Sequence, residues 1–199
     1  MSTKLSVKIT FEEELLGTAA ASPEVHREYI AAQAPDAASV EDEVAALGAA
    51  AVAEKSVTRF ARDADGTPIL WDYQVKGFFK DSCGLLARVP GSAASKLKAY
   101  RKVIDGLVFV RPRQIRLALP AGAALGRCER PLRAQTAQGE RIALAASESA
   151  PAGTTAEFSV VLLDPRLESL IRELLDYGEL RGLGQWRSSG KGRFLWAVA

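Results

Sequence analysis

Histidine is nearly absent from this chain of 199 residues, which has one, His26. Any Ser-His-Asp or Cys-His mechanism would have to be built on that residue. Cysteine is almost as scarce. Cys83 and Cys128 are the only two and no CxxC spacing exists, which argues against a disulfide scaffold and a thiolate zinc site. Cys83 falls between apolar residues at helical spacing and reads as core. No apolar run approaches the ~18 residues of a membrane span. The opening MSTKLSVKITFEEELL lacks the charged-then-apolar pattern of a signal peptide. The expectation is a cytoplasmic protein with no membrane partner, no cofactor and no metal. With 48% hydrophobic and 25% charged residues, disorder is excluded and a single domain over 1–199 is expected.

The chain also lacks an excess of one charge, but its net +2 hides a segregation. Residues 1–54 hold three basic residues (Lys4, Lys8, Arg27) against ten acidic ones. From Lys76 to Arg141 there are 14 basic residues and 4 acidic ones. Such a split places a polyanion-facing surface on one part of the fold.

Apolar periodicity orders the elements. Leu5, Val7, Ile9 and Phe11 alternate with polar residues and read as a half-buried strand. Residues 17–39 read as an Ala/Pro/Ser-rich loop. Ser39 and Asp42 resemble a capping box opening an Ala-rich helix to about Glu54. Val57–Ala61 and Ile69–Tyr73 are short extended segments around a turn at Asp63-Ala64-Asp65-Gly66. Val75, Phe78, Phe79, Cys83 and Leu86 share one face of a helix that Pro90-Gly91 ends, with Lys76 and Lys80 on another face. Residues 95–102 read as a basic short helix or loop. Strands are expected at 107–110 and 115–119, with a bend at Pro112. An Ala/Gly-rich stretch at 122–150 turns at Gln138-Gly139. A strand at 157–163, an amphipathic helix at 165–177 and a strand at 193–198 close the chain. Without its loop-rich stretches, the order is strand–helix–strand, insertion, strand–helix–strand. That is the α+β, ferredoxin-like order.

The most informative motif lies before the last strand, Gly182-Leu183-Gly184-Gln185-Trp186-Arg187-Ser188-Ser189-Gly190-Lys191-Gly192-Arg193. Glycines let backbone N–H groups approach and face a phosphate. Arg187, Lys191 and Arg193 supply counter-charge, and Ser188 and Ser189 add hydroxyl donors. The motif follows a helix and leads into a strand, and it lacks GK[ST], so it is neither a dinucleotide fingerprint nor a P-loop. Charge reversal at Arg187 and Lys191 is expected to weaken binding of a phosphate-bearing ligand with little effect on folding. Trp186, Phe78, Phe79, Tyr100 and Phe194 are candidate stacking aromatics, with Phe78 and Phe79 better read as core.

Helix, GLGQWRSSGKGRF and terminal strand together resemble the C-terminal glycine-rich loop of the RAMP (repeat-associated) superfamily of CRISPR systems. KLSVKITFEEELLGT resembles the first strand of its backbone subunits. ARDADGTPILWDYQVKGFFKDSCGLL resembles the segment that opens their first helix with Leu-Lys-Gly, here Val75-Lys76-Gly77. TTAEFSVVLLD and the helix after it resemble the second half of that fold. The resemblance departs at Trp71-Asp72-Tyr73-Gln74, where the family has Pro-Gly-Ser-Ser.

The resemblance implies a modified ferredoxin-like (RRM-like) core with insertions at about 17–56 and 120–150. It implies that single-stranded guide RNA lies along the glycine loop and the basic helix 75–88, with Lys76 and Lys80 on phosphates. The 120–150 insertion would be a thumb-like hairpin carrying Arg127, Arg130 and Arg133. Partners would be RNA and either CRISPR effector subunits or further copies of the chain.

Two other readings stand beside this one. A viral CRISPR inhibitor would mimic a backbone subunit and act through protein contacts of the acidic segment 12–54. A metal-independent RNA endonuclease would use His26 as general acid/base, with Tyr29 near it. The non-catalytic reading is favoured over the enzyme.

Overall fold

A computed structural model of the chain describes residues 2–20, 57–136 and 139–199. For residues 20, 131–136 and 139–144 it describes the backbone path alone. The expected helix over 39–54, His26 and Tyr29 lie outside the described residues.

Strand β1 (Thr3–Phe11) is followed by the short strands β2 (Leu15–Leu16), β3 (Ala19–Ala20), β4 (Thr58–Arg59) and β5 (Ala61–Arg62), then β6 (Pro68–Trp71). Helix α1 (Asp72–Leu86) comes next, then a 3-10 turn at Ala94–Lys96 and helix α2 (Tyr100–Leu107). Strands β7 (Val108–Arg111) and β8 (Gln114–Ala118) lead to a long hairpin, β9 (Gly126–Thr136) and β10 (Gly139–Ala150). The chain closes with β11 (Thr155–Leu162), α3 (Glu168–Asp176), α4 (Gly178–Arg181) and β12 (Phe194–Val198).

The main sheet runs β12-β1-β11-β8-β6-β5, and β7 pairs with β11 as well. The stretch β12-β1-β11-β7 is antiparallel and carries the ferredoxin-like strand order. Both β7 and β8 lie along β11, at Leu162–Ser159 and Ala156–Thr155 respectively, with the chain bending between them at the cis Arg111–Pro112 peptide. The α+β, ferredoxin-like expectation therefore holds. A second sheet, β2-β10-β4-β3 with β9 on β10, is built from the insertions. The 120–150 insertion is an antiparallel hairpin, with Gly139 paired to Thr136 at its described end and Ser149 paired to Gly126 at its base.

The alternation of β1 is what gives the sheet one buried face. Leu5, Val7, Ile9 and Phe11 are buried and meet Ala156, Phe158, Val160 and Leu162 of β11 and Val108 and Val110 of β7. Against that face pack Val75, Phe78, Phe79 and Cys83 of α1 and Leu170, Ile171, Leu174 and Leu175 of α3. Each large buried apolar side chain contributes roughly 1.5–3 kcal/mol of transfer free energy. Phe194 lies 5.4 Å from Phe78 and 6.1 Å from Phe11, ring centre to ring centre. It is buried, so its proposed stacking role is withdrawn, while Phe78 and Phe79 are core as expected.

Two boundaries differ from the sequence reading. Helix α1 starts at Asp72 because Gln74 Oε1 accepts the Trp71 N–H at 2.7 Å and serves as its cap. Residues 95–102 hold the end of the 3-10 turn and then the start of α2 at Tyr100, which continues to Leu107, with the fully buried Ile104 anchoring it to the core. Among the described residues no helix is long and apolar enough to cross a membrane.

Candidate nucleic-acid interface

The glycine motif occupies residues 182–193, between α4 and the edge strand β12. Gly182, Gly184, Gly190 and Gly192 all have positive φ. Two of them are obligatory for a reason of space as well. A Cβ on Gly192 would stand 2.0 Å from the Leu183 carbonyl oxygen, and one on Gly182 would stand 2.5 Å from the Lys191 oxygen. The loop's two ends touch there, with the Leu183 N–H donating to the Gly192 carbonyl at 2.9 Å. The Gly192 N–H in turn donates to the Glu14 carbonyl at 2.9 Å, seating the loop on the turn after β1.

The backbone donors of the loop divide into two sets. Those of Gly182, Leu183, Ser189, Gly190, Lys191 and Gly192 are bonded to backbone carbonyls. The five consecutive N–H groups of Gly184, Gln185, Trp186, Arg187 and Ser188 have no acceptor among the described residues. Trp186 is held at φ 59, a costly conformation for a bulky residue. Its indole Nε1 is buried with no partner among the described residues. The Arg130 guanidinium, from β9, lies over the Trp186 ring, and its Nε is also buried with no partner among the described residues. Desolvation lowers the affinity of Arg130 for its proton.

The charged side chains of the loop are engaged. Arg187 Nη1 donates to Asp81 Oδ2 of α1 at 2.6 Å, and Arg181 Nε donates to the same oxygen at 3.0 Å. Lys191 is ion-paired with Glu14. That hydrogen bond holds the Glu14 carboxyl below its usual range against the opposing effect of burial, and holds the Lys191 ammonium above its own. The expectation of little folding cost for charge reversal at Arg187 and Lys191 is therefore corrected. Reversal would set like charges against Asp81 and Glu14. Gln185 Nε2 donates to the Gly17 carbonyl at 2.8 Å, with Thr58 Oγ1 at 3.3 Å. Ser188, Ser189 and Arg193 are exposed.

Helix α1 and the hairpin supply the remaining expected cations. Lys76 Nζ donates to the Asp105 carbonyl at 2.8 Å and lies 5.0 Å from the centre of the Phe109 ring. Lys80 pairs with the Asp105 carboxylate at 3.0 Å. Arg127 pairs with Glu129 at 2.7 Å. Arg133 lies in β9 where the backbone path alone is described. The structure thus ties Arg187 to α1, sets Arg130 over Trp186, seats Gln185 and Lys191 on the segment after β1, and places Lys76 and Lys80 toward α2. Asp81 and Glu14, which orient the loop, were missed by the sequence reading. Each is a lone acid with no local pattern to mark its distant partner.

No protein-family model matches the chain, and no curated protein matches it in sequence. Among solved structures, a chain of the cryo-EM structure of the Type III-B Cmr-beta bound to cognate target RNA is similar over 100% of this chain, with a TM-score of 0.53 and 14% identity. This chain spans 59% of that one. The likeness is one of fold.

Proposed function

We propose that this chain is a non-catalytic, single-stranded RNA-binding protein related to the RAMP backbone subunits of CRISPR effectors. The observation that carries the reading is the run of five N–H groups at 184–188 without protein acceptors among the described residues, flanked by the orphan Trp186 Nε1 and Arg130 Nε. A cluster of unmet donors beside Arg187, Ser188, Ser189, Lys191 and Arg193 matches the acceptor-rich phosphodiester backbone. The fold shared with a chain of an RNA-bound Cmr-beta structure supports the same reading.

In this reading the loop from Gly182 to Arg193 and the N-terminal part of α1 hold guide RNA, and the β9–β10 hairpin reaches over it with Arg127, Arg130 and Arg133. Partners are RNA and CRISPR effector subunits or copies of the chain, in the cytoplasm. Contacts to the backbone require no sequence reading.

Fluorescence anisotropy with a labelled single-stranded RNA of about 20 nucleotides, long enough to span one site, tests it. Neutral variants Arg187→Gln and Lys191→Gln avoid the like-charge clash with Asp81 and Glu14. Weaker binding by both, with melting temperatures recorded alongside, is the expected result. Unchanged affinity in both removes the loop from the interface. The RNA is recovered from the same samples and run on a gel with EDTA present. Intact RNA is expected, and fragments that disappear with His26→Ala would establish the endonuclease instead.

A further inference from the structure

Helices α1 and α2 enclose an open groove of about 510 Å³ beside the glycine loop. Its walls carry Lys80, Asp81 and Arg88 from α1 and the turn after it, and Tyr100, Arg101 and Asp105 from α2. The groove is set by a close fit at its base. A Cβ on Gly84 would stand 2.6 Å from the Tyr100 phenol oxygen, so the ring lies close against α1 and would have to shift if any side chain stood there. The Arg101 guanidinium lies 5.9 Å from the centre of that ring.

The carboxylates of the groove are already answered. Asp105 pairs with Lys80, and Asp81 accepts from both Arg181 and Arg187. The two arginines are not, although Lys80 is. Among the described residues Arg88 and Arg101 have no acidic partner, and neither do Lys96, Lys98 and Lys102 in the adjoining segment. A cleft with surplus charge of one sign focuses its field on a ligand of the other sign. Asp81 is at once a wall of this groove and the anchor of Arg187 in the glycine loop. The groove and the loop therefore abut through one side chain.

We infer that the α1–α2 groove is a second anion site, in which Arg88 and Arg101 take phosphodiesters of the same single-stranded RNA as it leaves the glycine loop. This rests on the RNA-binding reading of that loop. It extends the RNA path to α2, of which the sequence reading offered only Tyr100, as a stacking aromatic.

The test is the salt dependence of RNA binding by the full chain. For a single strand, the slope of log K against log salt becomes shallower by about 0.7 for each phosphate that the protein ceases to neutralise. The double variant Arg88→Gln/Arg101→Gln is expected to bind the same RNA roughly tenfold more weakly near 0.15 M salt, with a slope shallower by about 1.4. Neither arginine holds an ion pair among the described residues, and Arg101 gives up only its exposed 3.4 Å bond to the Tyr100 phenol and its place over that ring, so the melting temperature should change little. Lys4→Gln, an exposed cation on β1 at the opposite face of the sheet, is the control and should leave the slope unchanged. A double variant with wild-type slope, in a protein whose binding still falls with Arg187→Gln, overturns the groove and leaves the loop reading standing. Failure of the wild-type chain to bind RNA at all overturns both. Competition by millimolar inorganic phosphate at constant ionic strength separates a free-anion pocket from an RNA track. Strong competition overturns the RNA assignment, and its absence supports it.

Discussion

Arg187 and Asp81 are 106 positions apart in sequence, and Arg187 Nη1 lies 2.6 Å from Asp81 Oδ2. This contact fastens the glycine loop to helix α1, and Arg181 reinforces it on the same oxygen. It also places a negative charge inside a basic track. Asp81→Asn should lower stability by about 1 kcal/mol, since the partners are only partly shielded from water. It should also tighten RNA binding a few-fold by removing the repulsive charge. Urea unfolding and anisotropy measure the two effects, and weaker RNA binding by a folded variant would count against the proposed track.

Gly192 and Gly77 predict opposite responses to the same substitution. A Cβ at Gly192 meets the Leu183 oxygen at a positive φ, so Gly192→Ala should cost about 2–3 kcal/mol. A Cβ at Gly77, inside α1, meets nothing within 4 Å, so Gly77→Ala should gain roughly 0.5–1 kcal/mol. Chemical denaturation of the two variants decides the matter by the sign of each change.

Trp186 offers a separation of stability from function. Trp186→Phe keeps a ring beneath Arg130 and removes the buried, unpartnered indole N–H. Relief of an unmet donor is worth about 1 kcal/mol or more, so the melting temperature should rise. RNA affinity should fall if that donor serves the ligand. A variant that is stabilised with unaltered RNA affinity would assign the indole no part in binding.

The Glu14–Lys191 pair gives a pH dependence with a definite sign. The folded-state pKa of Glu14 is lowered from 4.5, so its contribution is full above that value and lost as pH falls through the lower folded one. The folded-state pKa of Lys191 is raised from 10.5, so its contribution is full below that value and lost as pH rises through the higher folded one. The stability difference between the wild type and Glu14→Gln should be flat from about pH 6 to 9 and shrink below pH 4.5. Urea unfolding across that range checks it.

Cys83 is fully buried in α1, and burial pushes its thiol up to about 11. Near pH 8, about half a unit below the pKa of a free thiol, iodoacetamide should leave it unmodified in the native protein and label it at the rate of unfolding. Mass spectrometry of alkylated peptides reads the result, and rapid native labelling would show that the core around α1 opens locally.

Most of the core was legible because it is periodic. The alternation of Leu5, Val7, Ile9 and Phe11 and the helical spacing of Val75, Phe78, Phe79 and Cys83 are local signals, and both faces are buried as read. The glycine loop was legible as a motif, but the state of its side chains was not. Its arginine and lysine read as free counter-charge, whereas Asp81 and Glu14 hold them in place. The start of α1 was misjudged because its cap is a Gln74 side chain rather than Ser, Thr or Asp. The reach of α2 was missed because the residues beyond Lys102 carry no strong pattern apart from Ile104.

The sequence by itself determined the α+β class, the order of the principal elements, the turn that divides residues 122–150 and the place of the glycine loop. Each of these follows from apolar period, turn chemistry or the steric freedom of glycine, all of which act within a few residues. Only the tertiary structure decided which loop donors remain unmet, which cations are neutralised and which line the α1–α2 groove. Those outcomes depend on contacts such as Lys191 with Glu14, separated by 177 positions. A charge's availability is set by whatever the fold brings beside it, and no local pattern carries that information.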